Sequence, residues 1–475
     1  MGVVWSGALL CRAPIRKIGL INSPPQRLMA ASASAVTLAE ASRFWFKLGW
    51  VSFGGPAGQI ALLQRELVER RRWLSERRYL HALNYCMILP GPEAMQLATY
   101  LGWLMHGVPG GLIAGGLFVI PSVFVLTALA SIYALWGQLP LLASVFAVLK
   151  PAVLAIVLMA AWRIGRRTLR TPLLVALSIA GFLAMALLNL PYPLVVITAA
   201  VIGLVVARWR PALLLTSSAH GPGSAQGTAD RPDALHDDHT ASPEHARFSK
   251  RKLALTLLIW ALALVVPLAA VVAINGWNGS LALMARFFTR VALLSFGGAY
   301  AVLPYVAQGA VEQFGWLSAS QMLDGLALGE TTPGPLIMVV AFVGFMGGWN
   351  HALAASTSPW PLALAAVAVT VWFTFLPSFG FILAGAPLVE ASRNDLRLGA
   401  PLSAITAVVV GVIASLALFF AGPVLWSNGG FQVGAAMVVV VALWAQLKLR
   451  WSVLQVIGAA AALGVGIALV IQILG

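Results

Sequence analysis

Long apolar runs dominate the chain, and one polar stretch separates them into two halves. Clear apolar runs are Leu253–Ile274, Pro359–Pro377, Ala400–Ala421 and Val453–Leu474. A helix needs about 20 such residues to cross the hydrocarbon core of a bilayer. The pattern therefore predicts an all-α polytopic membrane protein. The composition agrees, because only 9% of the residues are charged and 60% are hydrophobic.

The same pattern predicts five segments along the chain. The polar stretch is rich in Ser, Gly, Pro and Asp and holds four of the seven histidines, which is typical of a flexible linker. Its HDDH tract (His236–His239) has metal binding as the alternative to a solvated linker. The predicted segments are a disordered N-terminal extension (1–36), a first repeat (37–210), the linker (211–250), an unpaired transmembrane helix (251–280) and a second repeat (281–475).

The two halves are related in sequence. Residues 43–55 read RFWFKLGWVSFGG and residues 286–298 read RFFTRVALLSFGG. A constant offset of 243 aligns residues 43–98 with 286–341, and eighteen of those fifty-six positions are identical. The matches include the Ser-Phe-Gly-Gly and Pro-Gly-Pro motifs, and a later Pro-Ser pair matches after a short insertion. The chain is an internal duplication.

Loop charge indicates that the second half has the opposite orientation in the membrane. The loop around Trp73 carries six arginines, whereas its counterpart, residues 308–321, has no Lys or Arg. The four arginines in residues 163–170 likewise have no counterpart in residues 422–430. Lys and Arg collect in cytoplasmic loops, so this reversal predicts inverted repeats, with the unpaired helix supplying an odd crossing. The same rule explains the net charge of +15 without nucleic acid as a partner.

The repeated Gly-Gly and Pro-Gly-Pro motifs predict broken, re-entrant helices. Glycine lacks side-chain constraint, and proline lacks a donor and clashes with the preceding turn. Segments 37–53 and 56–66, and segments 79–89 and 93–106, are each too short to span a bilayer alone. A helix that restarts at a break presents free N–H groups and its positive dipole end, which suits an anion. A kinked helix buried for packing is the alternative.

Candidate functional residues follow from these breaks. Arg43 and Lys47 share a helix face, as do Arg286 and Arg290, and they either attract an anion or anchor the helix. Substrate-binding candidates are Arg43, Lys47, Ser52, Gly54, Gly55, Pro56, Gln59, Pro90, Gly91 and Pro92 in the first half, and Arg286, Arg290, Ser295, Gly297, Gly298, Thr331, Thr332, Pro333, Gly334 and Pro335 in the second.

Other polar groups in apolar surroundings have two interpretations each. Glu93 and Glu330 are coupling candidates, or they are carboxylates held by a helix N-terminus and by nearby hydroxyls. Thr331 and Thr332 either donate hydroxyls to an oxyanion or cap a helix. Lys150 either pairs with an acid or reaches to an interface. No catalytic, cofactor or metal motif is predicted.

At these motifs the sequence resembles the chromate ion transporter family, in its long two-domain form. The first-half motifs are FGGP (Phe53–Pro56), RRWLS (Arg71–Ser75), LPGPE (Leu89–Glu93) and FVIPS (Phe118–Ser122). The second-half motifs are FGGAYAVLP (Phe296–Pro304), GWLS (Gly315–Ser318), TTPGP (Thr331–Pro335) and FLPS (Phe375–Ser378). The acid of LPGPE has no equivalent at Leu336, so the halves are expected to contribute unequally to the site.

The resemblance implies export of chromate from the bacterial cytoplasm across the inner membrane. The expected function is a secondary transporter driven by membrane potential or a proton gradient. The alternatives are a transporter or uptake system for sulfate or another oxyanion, and an anion channel. An enzyme is disfavoured because the sequence has no HExxH, GxSxG or paired-acid motif. The expected partners are chromate or sulfate and the lipid bilayer, with a homodimer as an option.

Overall fold

The computed structural model is almost entirely helical over the residues it describes, which are 36–209, 244–391, 399–427 and 429–474. The predicted N-terminal extension (to residue 35) and most of the predicted linker, including the HDDH tract, lie outside these residues. The helices of the first half are α1 (Leu38–Val51), α2 (Gly55–Gln64), α3 (Glu76–Ile88), α4 (Glu93–Trp136), α5 (Pro140–Thr168), α6 (Pro172–Ala186) and α7 (Tyr192–Trp209). They are followed by α8 (Lys250–Asn275), α9 (Ser280–Leu294), α10 (Ala299–Ala307), α11 (Ala319–Thr331), α12 (Val339–Ala354), α13 (Pro359–Ala391), α14 (Gly399–Leu425), α15 (Val433–Lys448) and α16 (Val453–Leu474).

Shorter elements complete the described chain. Single π-helical turns, Arg65–Arg70 and Gln308–Gln313, extend α2 and α10 at equivalent places. Short 3₁₀ turns lie at Glu244–Ala246 and Leu336–Met338. A small hairpin pairs β1 (Trp426–Ser427) with β2 (Gly430–Phe431).

Eight segments in the described part of the chain are long and apolar enough to cross a membrane, which confirms the polytopic prediction. They are Glu93–Trp136, Pro140–Thr168, Tyr192–Trp209, Lys250–Asn275, Leu336–Ala354, Pro359–Glu390, Pro401–Leu425 and Val453–Ile473. Helices α1, α2, α3, α9, α10 and α11 are too short to join them and belong to the broken motifs.

The two halves repeat the same order of helices, and they differ clearly at α4. In the first half, α4 bends where His106 (φ −134°) and Gly107 (φ 66°) leave helical geometry. The second half instead ends α12 at Ala354 and starts α13 at Pro359. The short segment predicted over residues 93–106 therefore ends at the bend in α4.

The last two helices of each half pack on the opposite half. Helices α6 and α7 lie against α14, and α15 and α16 lie against α5. The crossings are close, because a side chain at Gly411 would overlap the backbone of Ser178, and one at Gly464 would press on Val145. This reciprocal exchange is a pseudo-two-fold arrangement. The reversed loop charge predicts that the two repeats are inverted relative to each other.

Helix α8 is the unpaired crossing and lies at the periphery. None of its residues is buried, and it packs on α9 and α13. Trp260 of α8 donates its indole N–H to Leu376 O at 3.3 Å, and Trp372 of α13 donates to Ala263 O at 3.0 Å. Two indole hydrogen bonds therefore fix an otherwise lipid-facing helix to the second half.

Candidate functional site at the broken helices

The Ser-Phe-Gly-Gly motifs break the chain in the same way in both halves. Helix α1 ends at Val51 and α2 begins at Gly55, with φ of 91° at Gly54. In the second half, α9 ends at Leu294 and φ is 81° at Gly297. Side chains other than glycine rarely adopt such angles, which is why a glycine doublet stands at each break. The predicted breaks are confirmed.

The Pro-Gly-Pro motifs form the second type of break. Helix α3 ends at Ile88, Gly91 has φ of 131°, and α4 begins at Glu93. Gly334 has φ of 95° and lies between α11 and the short 3₁₀ turn that precedes α12. Both prolines that flank each glycine lack an N–H, so the glycine is the sole backbone donor of its motif.

Each Pro-Gly-Pro glycine uses that donor across the halves. The N–H of Gly334 donates to Ser52 O at 2.8 Å, and the N–H of Gly91 donates to Ser295 O at 2.9 Å. An unpaired carbonyl at membrane depth is costly, so this exchange stabilises both breaks at once. We call Ser52–Gly55 with Pro333–Pro335 the first break site, and Ser295–Gly298 with Pro90–Pro92 the second break site.

Two serines that the sequence did not select as site residues complete the sites. The hydroxyl of Ser122 on α4 donates to Pro333 O in the first break site. Ser378 on α13 lies against Gly91 in the second break site and is 3.4 Å from Gln96 Nε2. The signal was available, because both serines belong to the Pro-Ser pair that the duplication repeats.

Glutamines of the first half also bind break-site backbone. Gln59, which is 1% exposed, donates its side-chain amide to Ser52 O at 3.1 Å and to Gly334 O. Gln96 donates to Pro90 O at 2.7 Å. The amide of Gln59, predicted as a substrate donor, is therefore committed to the backbone. The equivalent positions in the second half are Val302 and Val339, so the two sites differ in polarity.

A helix begins at each break site, α2 at the first and α10 at the second. The amides at the start of α2 and α10 carry no side-chain cap, and Pro56 occupies the first turn of α2. A side chain at Gly54 or Gly55 would meet no atom within 4 Å, so the first break site adjoins open space. Uncapped amides and the helix dipole facing open space can bind an anion.

The second break site is closed by comparison. A side chain at Gly297 would lie 3.7 Å from the Thr406 hydroxyl, and one at Gly298 would lie 3.8 Å from Glu93 Oε1. Residues 301–307 of α10 are all buried, whereas Ala57, Gly58 and Ala61 of α2 are exposed. The duplicated motifs therefore stand in two different environments.

Both coupling candidates lie near the second Gly-Gly motif. Glu93 begins α4 and faces Gly298, while Glu330 in the last turn of α11 accepts a hydrogen bond from Tyr300 at 2.6 Å. The hydroxyl that holds Glu330 is thus a tyrosine on α10. Both carboxylates are half-buried.

Thr331 and Thr332 act as helix-capping groups. Thr331 donates its hydroxyl to Leu328 O at 2.7 Å, and Thr332 donates to Gly329 O at 2.9 Å. Both hydroxyl hydrogens close the last turn of α11 here, which is the capping alternative, and donation to an oxyanion stays a prediction.

The four candidate cations lie on α1 and α9, the helices that precede the Gly-Gly breaks. Arg43 and Lys47 are exposed on α1, and Arg290 is exposed on α9 beside Tyr305. Arg286 stacks on Trp277 at 4.3 Å and donates to its carbonyl at 2.8 Å. Arg286 therefore anchors the start of α9, and Trp277 nearby in sequence was the signal for it.

Comparisons with known proteins cover both halves. The chromate transporter family model matches residues 39–204 and 282–465. A chromate transport protein of Pseudomonas aeruginosa is 32% identical over 376 residues, which is 78% of each chain. A probable chromate transport protein of Synechococcus elongatus is 28% identical over 382 residues, covering 80% of this chain and 84% of that protein.

A third relative extends the match slightly further. A chromate transport protein of Cupriavidus metallidurans is 26% identical over 401 residues, covering 84% of this chain and 87% of that protein. No solved structure matches. Since the family model spans both repeats, with their paired breaks, the chain is a multi-pass membrane protein that belongs to the chromate transporter family.

Proposed function

We propose that the protein is a secondary transporter that exports chromate from the bacterial cytoplasm across the inner membrane. The observation that carries the proposal is the pair of break sites, where uncapped helix N-termini meet backbone from the opposite half. Similarity to proteins named for chromate transport supports chromate as the anion. Arg43, Lys47 and Arg290 then attract the dianion to the surface, and the amides around Gly54–Pro56 and Gly297–Gly298 bind it.

Charge favours export over uptake. When a dianion leaves a cell whose interior is negative, its free energy falls by about 4.6 kcal/mol per 100 mV, twice the value for a single charge. The membrane potential alone therefore drives export, and a proton gradient can add to it. Glu93 and Glu330 are the proposed proton carriers, since both half-buried carboxylates lie at the second Gly-Gly motif.

The unequal environments of the break sites favour a carrier over a channel. An open channel needs both sites accessible at once, whereas here one site adjoins open space and the other is packed. A carrier alternates between two such arrangements. Sulfate or another oxyanion stays the alternative substrate, because it offers the same tetrahedral dianion to the same amides.

Uptake into everted membrane vesicles tests the function. Labelled chromate should accumulate with saturation and should show accelerated exchange when the lumen is preloaded with unlabelled chromate. Flux that neither saturates nor accelerates would indicate a channel. If labelled sulfate enters and chromate does not compete with it, chromate is the wrong substrate.

Removing the exposed cations should slow transport without stopping it. We expect Lys47→Ala and Arg290→Ala each to lower chromate uptake several-fold at low ionic strength, with the difference shrinking as salt screens the charges. Arg286→Ala is the matched control, because its stacking on Trp277 predicts lower thermal stability and a salt dependence like that of wild type. Equal uptake by wild type and both variants at low salt would assign the two cations to anchoring.

A further inference from the structure

An ionic cluster that includes no break-site residue joins the halves. Lys150 Nζ of α5 lies 3.5 Å from Asp324 Oδ2 of α11, and Tyr133 of α4 donates its hydroxyl to the same oxygen at 2.8 Å. Asp324 is 2% exposed, and its other carboxylate oxygen has no hydrogen-bond partner among the described residues. Phe146 and Phe342 pack edge-on against Tyr133. The pair is thus a charged contact in apolar surroundings.

The cluster holds α11 against α5. A carboxylate in the bilayer interior is stable only when it is paired, and removal of one partner leaves an uncompensated charge. In the described part of the chain, Lys150 is the cation within ion-pair distance of Asp324. Moving α11 away from α5 therefore requires this pair to separate.

The duplication does not repeat the cluster. The position equivalent to Asp324, at the offset of 243, is His81 on α3. The Nε2 atom of His81 is buried and has no hydrogen-bond partner among the described residues. The first half has no acid at this position, so the acid of the contact comes from the second half.

The same half has the closed break. Helix α10, which precedes α11, is buried against α14 beside Gly297, whereas α2 is exposed beside Gly54. The arginine-rich loop that follows α2 is predicted to face the cytoplasm, so the closed break belongs to the outer side. The structure therefore combines an open cytoplasmic break, a closed outer break and an ion pair on the closed side.

We propose that Lys150, Asp324 and Tyr133 form the gate that keeps the outer break closed in this arrangement. The pair separates when α10 and α11 leave α14 and α5, and the first half then closes in their place. This inference rests on the proposed carrier function, because a gate of this kind needs a protein that alternates between two arrangements.

Cysteine labelling measures the gate directly. Ala301→Cys on α10 (buried) and Ala61→Cys on α2 (exposed) serve as reporters in a background without Cys11 and Cys86. An impermeant maleimide is added from each side of the membrane. With Asp324→Asn, we expect at least fivefold faster labelling of the α10 reporter from outside and slower labelling of the α2 reporter from inside.

Matched variants separate a gate from simple packing. Exchanging the two charges (Lys150→Asp with Asp324→Lys) should restore the wild-type labelling ratio. Glu390 is another buried carboxylate that accepts a hydrogen bond across the halves, from the Tyr100 hydroxyl at 2.7 Å. Glu390→Gln should leave the labelling ratio unchanged. Lys150→Met with Asp324→Leu leaves no charge unpaired and should shift the ratio as Asp324→Asn does.

An unchanged ratio in that double variant overturns the gate, whether or not the single variant folds. A shift of the same size in Glu390→Gln also overturns it, because any weakened contact between the halves would then suffice. Labelling needs no chromate. If the wild-type protein does not transport chromate but the variants show the expected labelling, chromate is the wrong substrate and the gate still holds.

Discussion

Gly334→Ala should abolish chromate transport and strongly destabilise the fold. Gly334 has φ of 95°, and its N–H bonds to Ser52 O at 2.8 Å. An added Cβ would overlap the hydroxyl oxygen of Ser122. A left-handed conformation costs a non-glycine residue about 1–2 kcal/mol, and overpacking costs roughly 1–3 kcal/mol more. Both costs fall on the contact between the halves. The thermal unfolding temperature in detergent and the rate of chromate uptake into vesicles should therefore both decrease.

Two matched variants isolate the cause. Gly276 also has a positive φ (75°), but a side chain there would meet no atom within 4 Å. Gly276→Ala should therefore show the backbone strain alone and keep its transport activity. Ser122→Ala removes the overlapping hydroxyl and should recover part of the loss in Gly334→Ala. Equal effects of the two glycine variants would mean that the contact between the halves contributes little.

Gly54→Asp should lower chromate transport at least tenfold relative to Gly54→Asn. Both side chains have the same shape and tolerate the left-handed conformation of Gly54 better than most residues do. They differ in charge. A carboxylate beside the uncapped N-terminus of α2 would occupy the position proposed for the anion. Unit charges 4 Å apart repel by about 4 kcal/mol at an effective dielectric constant of 20, so a dianion would be strongly excluded.

The comparison is meaningful because both variants carry the same backbone strain. Initial rates of chromate uptake should be measured across chromate concentrations, with folded protein quantified by size-exclusion chromatography. Gly276→Asp introduces the same charge at a loop glycine and should leave uptake unchanged. If Gly54→Asp transports as well as Gly54→Asn, the anion does not bind at the first break site.

Much of the fold is readable from the sequence because duplication supplies an internal comparison. The glycine doublets that begin at Gly54 and Gly297 are separated by the constant offset that aligns the two halves. Helix breakers at matched positions indicate that both halves adopt the same backbone conformation. Loop arginines then set the relative orientation of the halves. The bend in α4 at His106–Gly107 is harder to read, since the second half replaces it with a loop.

The contacts of the site are less readable, because they join residues that are distant in sequence. Nothing in either half shows that Gly334 donates to Ser52 while Gly91 donates to Ser295. Helical periodicity shows which face of α9 carries Arg286, but it does not show where the side chain points. Stacking on Trp277 determines that direction. The sequence leaves Lys150 with two interpretations, pairing with an acid or reaching to an interface, and the packing of α11 on α5 identifies Asp324 as its partner.

The exchange of the last helices between the halves has a consequence for biogenesis. While the ribosome is still making the second half, α5 lacks the cover that α15 and α16 later provide, and α6 and α7 have no α14 to pack on. The early membrane intermediate must therefore remain loosely assembled, shielded by lipid or an insertion chaperone. Final compaction becomes a late event that waits for the last helix to leave the translocon.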